Sequence, residues 1–80
     1  MNTKIDPAES VRAICQEEFG IPLSLDDCLG NVGLDSLDLV ELQMAVEDEF
    51  VIGPEAFDAI QDWDKTTCRE VGRLVSEALG

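Results

Sequence analysis

Eighty residues are enough for one small domain, and a hydrophobic content of 45% is enough to give it a core. With 18 acidic residues against 5 basic ones, the net charge is −13, so the chain repels nucleic acid and anionic membranes and suits partners with basic patches. Histidine is absent, which excludes a Ser-His-Asp triad, and three cysteines at irregular spacing make neither a disulfide framework nor a zinc site.

Few aromatics, no tyrosine and only three prolines favour helices over a β-sandwich or barrel. Met1–Pro7 is polar, with no apolar segment of signal-peptide type behind it, and no apolar run reaches membrane-spanning length. The expectation is a single domain over residues 1–80, located in the cytoplasm and not inserted into a membrane. Cys15, Cys28 and Cys68 are then read as small apolar core residues in a reducing compartment.

The first helix is predicted over about residues 7–19. Asp6 suits its N-cap, Pro7 its first position, and Glu9 the return partner of a capping box. Val11, Ile14, Cys15 and Phe19 recur at helical spacing, and Gly20 with Pro22 ends the run. Residues 20–35 then form a long loop, punctuated by glycines at 20, 30 and 33. Ile21, Leu23, Leu25, Leu29, Val32 and Leu34 are apolar enough to pin it to a core.

The second helix, "SLDLVELQMAVEDEF", is the strongest in the chain. Asp35 or Ser36 caps it, Asp38 places negative charge in its first turn, and Gly53-Pro54 limits its far end. A short helix is predicted at about 54–61, a connector at "DWDKTT", and a last helix from about Thr67 to Leu79. In that helix Val71, Leu74, Val75 and Ala78 form the stripe, and Gly72 costs some helix propensity.

At about 100° per residue the second helix carries two apolar stripes. Leu39, Leu42, Val46 and Phe50 make one. Leu37, Val40 and Met44 make the other, continued by Val51 and rimmed by Asp38, Glu41, Asp48 and Glu49. One stripe joins a core. The other is either an exposed patch or a second packed face, and the wheel alone assigns neither role.

Ser36 stands at the start of this helix without a base to activate it. Lys4 and Lys65 are the lysines, and nothing in the sequence places either beside it. A calcium loop beginning at Asp27 fails, because Leu29 and Val32 fall at positions that need a ligand and a glycine. Two readings stay open: Ser36 is a plain helix cap, or it is displayed to an enzyme that modifies it.

"GLDSLDLVELQMAVEDEF" resembles the acyl carrier proteins of dissociated fatty-acid and polyketide synthesis. The resemblance lies in Asp35-Ser36-Leu37, then Asp38, Val40-Glu41-Leu42, Met44-Ala45 and Glu47-Asp48-Glu49-Phe50, and the rest of the chain agrees more loosely. It implies an all-α four-helix bundle with a short third helix and a long loop between helices 1 and 2. It also implies a non-catalytic, monomeric carrier with no metal site. In that family the serine receives 4′-phosphopantetheine from coenzyme A through a phosphopantetheinyl transferase, and the arm carries acyl groups as thioesters.

By resemblance, Ser36 is the attachment site. Asp35, Leu37, Asp38, Val40, Glu41, Met44, Glu47 and Asp48 form the face that docks on acyl-processing enzymes with basic patches. Leu39, Leu42, Val46 and Phe50 line the acyl groove. Two other functions compete: a peptidyl or aminoacyl carrier, which the acidic approach to Ser36 disfavours, and an acidic adaptor that kept the fold without cargo. Cys28-Leu29-Gly30-Asn31 stands where the family has an aromatic and an acidic pair. The segment after Phe50 is also a few residues longer than usual and contains Trp63, so the resemblance points to a specialised member.

Overall fold

A computed structural model describes residues 6–80; Lys4 and most of the polar N-terminal stretch lie outside the described residues. Three α-helices make the frame: α1 (Pro7–Phe19), α2 (Ser36–Phe50) and α3 (Cys68–Leu79). Among the described residues there is no strand, only an isolated antiparallel bridge between Cys28 and Thr67. The expected all-α bundle is therefore present. The short third helix is tighter and shorter than expected: Pro54–Phe57 is a 3-10 turn, and a second one, Trp63–Lys65, follows it. Pro54 starts the first of these turns, but the segment is too short to close α-helical hydrogen bonds.

Local chemistry explains where the helices begin and end. The Asp6 carboxylate accepts from Ala8 N–H at the start of α1. Glu9 does not return the bond; it pairs with Arg12 instead. Thr67 Oγ1 accepts from Glu70 N–H at the start of α3. Gly20 closes α1 in the left-handed conformation that glycine adopts without strain. Val51 does the same for α2 at φ 55°, although a β-branched side chain disfavours that region.

The core gathers residues from every element. Val11 and Cys15 of α1, Leu42 and Val46 of α2, and Cys68, Val71 and Val75 of α3 are fully buried. The long loop contributes Leu23, Leu29 and Leu34, so its apolar residues anchor it as expected, and Leu29 opens a 3-10 turn (Leu29–Val32). Burial pushes the Cys68 thiol up to about 12, with the nearby Cys15 adding to the effect, which keeps it a neutral core residue. Cys28 is only half buried, and its thiol points to the Lys65 carbonyl at 3.7 Å.

Two backbone positions yield a paired prediction. Gly72 is buried where α3 meets α1, and a Cβ there would strike the backbone of Ala8. Its cost in helix propensity is thus the condition for close packing. Gly72→Ala is expected to destabilise the domain by about 1–3 kcal/mol despite alanine's better propensity. Val51→Gly is expected to stabilise it by about 1 kcal/mol by relieving the left-handed valine. Chemical denaturation of both variants reads the opposite signs directly.

Positive charge is scarce, and the three arginines are engaged. Arg12 pairs with Glu9 at 2.5 Å, Arg69 with Asp26 at 2.8 Å, and Arg73 with Glu70 and Glu77. Arg69 holds the Asp26 carboxyl below its usual range and ties the long loop to α3 across the sequence. Among the described residues most of the 18 acids have no such neighbour, so the surface repels itself. The melting temperature is expected to rise across an NaCl and MgCl2 series as ions screen the repulsion; a flat response would contradict this.

Candidate functional site at the start of helix α2

The N-terminus of α2 is built by two aspartates. Asp35 accepts from Asp38 N–H at 2.9 Å, and Asp38 accepts in return from Asp35 N–H at 3.2 Å, completing a capping box. The cap is therefore Asp35, not Ser36. Ser36 occupies the first helical position and is exposed, and among the described residues no group hydrogen-bonds its hydroxyl. Of the two candidate caps α2 uses Asp35, and capping does not require Ser36.

Two open grooves meet at Ser36. One, of about 530 Å³, is lined by Cys28, Gly30, Asn31, Leu34, Asp35, Asp64 and Lys65. The other, of about 250 Å³, runs over Leu39 and Val40 to Gln43, Gln61 and Trp63. Lys65 thus comes to the same side as Ser36, which the sequence did not indicate. It is exposed and makes no hydrogen bond to the serine among the described residues, so nothing in the geometry makes it a base. An exposed hydroxyl between two grooves has room for a long, flexible, phosphate-linked substituent, and phosphopantetheine fits the site.

The two stripes of α2 separate cleanly. Leu39, Leu42 and Val46 are buried, at 6%, 0% and 0% exposure, and Phe50 packs partly buried against the same cluster. Leu37, Val40 and Met44 stand exposed at 66%, 51% and 61%. Glu41 and Asp48 are exposed beside them, while Asp38 and Glu47 are half buried. Gln43 donates to the Glu47 carboxylate at 2.9 Å, which fixes that acid at the rim. Of the interior stripe, only Leu39 lines the groove that opens at Ser36; Leu42, Val46 and Phe50 lie beyond it in the core.

Met44, Glu47 and Asp48 also border a broad surface hollow with Glu18 of α1, Val51 and Ile52. Val51 is 88% exposed there, lengthening the apolar stripe. The sequence placed Val51 on this line but gave no role to Glu18, nor to Trp63, Gln61 and Asp64 beside Ser36. Gln61 ends the segment predicted as a short helix, and Trp63 and Asp64 belong to the connector that follows it. A long-range contact packs that connector on the long loop just before α2: Gly30 lies against Asp64, where a Cβ would come within 2.8 Å of the aspartate's own.

The family model described as "Phosphopantetheine attachment site" matches residues 9–76. A curated relative, acyl carrier protein 4, chloroplastic, of Arabidopsis thaliana, is 32% identical over 80 residues; the match covers 95% of this chain. The chain spans 56% of that relative's length. No solved structure gives a significant match. The matched region takes in α2, most of α1 and α3, and the grooves at Ser36, so the chain belongs to the acyl carrier protein family, whose cofactor is phosphopantetheine.

Proposed function

We propose that this chain carries acyl groups on a 4′-phosphopantetheine arm attached to Ser36 and delivers them to enzymes of fatty-acid, polyketide or related lipid synthesis. The observation that carries the reading is the uncommitted Ser36 hydroxyl, released from capping by Asp35 and exposed between two grooves at a helix start. The chain itself is not an enzyme here; it is the substrate of a phosphopantetheinyl transferase. Ser36 Oγ forms the new bond to phosphorus, the pyrophosphate P–O bond of coenzyme A breaks, and adenosine 3′,5′-bisphosphate leaves. The serine proton passes to the transferase, so no base is needed on the carrier. Once bound, the arm supplies a terminal thiol that holds cargo as a thioester.

Leu37, Val40 and Met44 are the proposed docking stripe, with Asp35, Asp38, Glu41, Glu47 and Asp48 as its acidic rim. A carrier must meet many enzymes and leave them quickly. Charge raises the encounter rate while a small apolar patch keeps affinity modest. Asp38→Lys and Glu41→Lys are expected to slow association with the transferase several-fold at low salt, and high salt should erase the difference. Stopped-flow binding at two ionic strengths reads this. The interior stripe is the proposed apolar lining of the acyl groove, with Leu39 at its mouth and Leu42, Val46 and Phe50 behind it. We take the chain to act as a monomer in the cytoplasm, in keeping with the free thiols Cys15, Cys28 and Cys68.

The experiment is intact mass before and after incubation with coenzyme A and a promiscuous transferase. A carrier gains one phosphopantetheinyl group. An adaptor that kept the fold without cargo gains nothing.

A further inference from the structure

Trp63 is the chain's single tryptophan, and it stands where the groove at Ser36 meets the core. Its side chain lines that groove together with Leu39 and Val40. Its ring meets Phe57 edge-on, with centroids 5.6 Å apart and planes at 66°, and Phe57 is itself buried. Phe57 and Leu39 belong to the same cluster as Leu42 and Val46, and Trp63 packs on that cluster from its edge. The way from Ser36 into the interior therefore passes Trp63.

The turn that carries Trp63 is held in place. Gly30 lies against the backbone of Asp64, Leu29 N–H donates to the Thr66 carbonyl at 2.8 Å, and Asp62 caps the turn by accepting from Asp64 N–H at 3.1 Å. The Thr66 hydroxyl donates to the Asp62 carbonyl at 3.0 Å. These bonds hold the backbone of the turn, and the indole it carries rests on Phe57 and the edge of the core. The groove it bounds is small, about 250 Å³, with polar Gln43 and Gln61 on its walls.

We propose that Trp63 sets the length of acyl group this carrier shelters: short groups rest in the groove against its ring, and long alkyl chains are kept out of the core. The inference rests on the carrier reading and assigns a specificity-determining residue within it. Removing the indole joins the groove to Phe57, Leu42 and Val46, where each further methylene finds apolar surroundings.

The test loads the protein from butyryl-, hexanoyl- and palmitoyl-coenzyme A with a promiscuous transferase and follows two readouts. With no tyrosine present, intrinsic emission reports on Trp63 alone. Butyryl and hexanoyl groups should shift that emission to the blue and raise the Tm relative to protein bearing the bare arm. A palmitoyl group should raise the Tm no further than hexanoyl. In Trp63→Ala the Tm should instead climb with chain length, by roughly 5 °C between hexanoyl and palmitoyl. Trp63→Phe, read by Tm alone, should show the parent's dependence on chain length, and Trp63→Leu replaces the alanine variant if that one does not fold. A parent protein whose Tm climbs steadily to palmitoyl, or whose emission ignores every acyl group, overturns the proposal while leaving the carrier reading intact. No mass gain from any of the coenzyme A thioesters overturns both.

Discussion

Leu42→Ala is expected to lower the stability of the domain by about 2–5 kcal/mol, a large share of the roughly 5–15 kcal/mol that holds a small protein folded. Leu42 is fully buried at the centre of the interior stripe of α2, between Leu39 and Val46. Truncation removes its transfer free energy and leaves a cavity that close-packed neighbours fill only in part. The matching control is Met44→Glu, two residues on but on the opposite face. Met44 is 61% exposed, so a charge there stays in water and the stability change should remain within about 0.5 kcal/mol. In a docked complex the same charge has to be desolvated, so transferase binding should weaken markedly. Denaturant unfolding and transferase kinetics on both variants separate the effects. If Met44→Glu unfolds the protein while Leu42→Ala is harmless, the two faces of α2 are assigned in reverse.

The two stripes also explain why a chain this acidic keeps an apolar line on its surface. Leu37, Val40, Met44 and Val51 run along one side of α2, and among the described residues nothing covers them. Repulsion among the acids and the left-handed backbone at Val51 both cost stability without serving the core. Such costs fit a surface kept for partners, where charge guides approach and a few exposed side chains give contact.

Much of this was readable from residue order alone, for a physical reason. Helix periodicity is local, so the bounds of α1 and α2 and the stripe Leu39, Leu42, Val46 follow from neighbours three and four apart. Capping is local too: Asp6 and Thr67 start α1 and α3, and Gly20 ends α1, as their chemistry implies. The choice between Asp35 and Ser36 as cap depended on side-chain geometry that two adjacent polar residues leave ambiguous. The segment after Phe50 read as one short helix because Pro54 is a good start, but it breaks into two 3-10 turns separated by a bend. Its arrangement is set by Gly30, Phe57 and Thr66 across the fold, contacts that no local pattern encodes. Gly72 misled for the same reason: its propensity is local, and its packing against Ala8 is not. The stripe that family resemblance proposes for docking is exposed, whereas Trp63 comes beside Ser36 only through tertiary contact.

Ser36→Ala is the variant with the largest expected functional effect, complete loss of modification with no loss of fold. Asp35 and Asp38 cap α2 between themselves, and alanine is the best helix former, so removing the hydroxyl should leave the melting temperature nearly unchanged. Ser10, Ser24 and Ser76 remain as alternative hydroxyls, but none stands at the start of α2. The decisive measurement is intact mass of the parent and of Ser36→Ala after incubation with coenzyme A and a promiscuous transferase. The account predicts one added phosphopantetheinyl group on the parent and none on the folded variant; a variant that still gains the group, or a parent that never does, contradicts it.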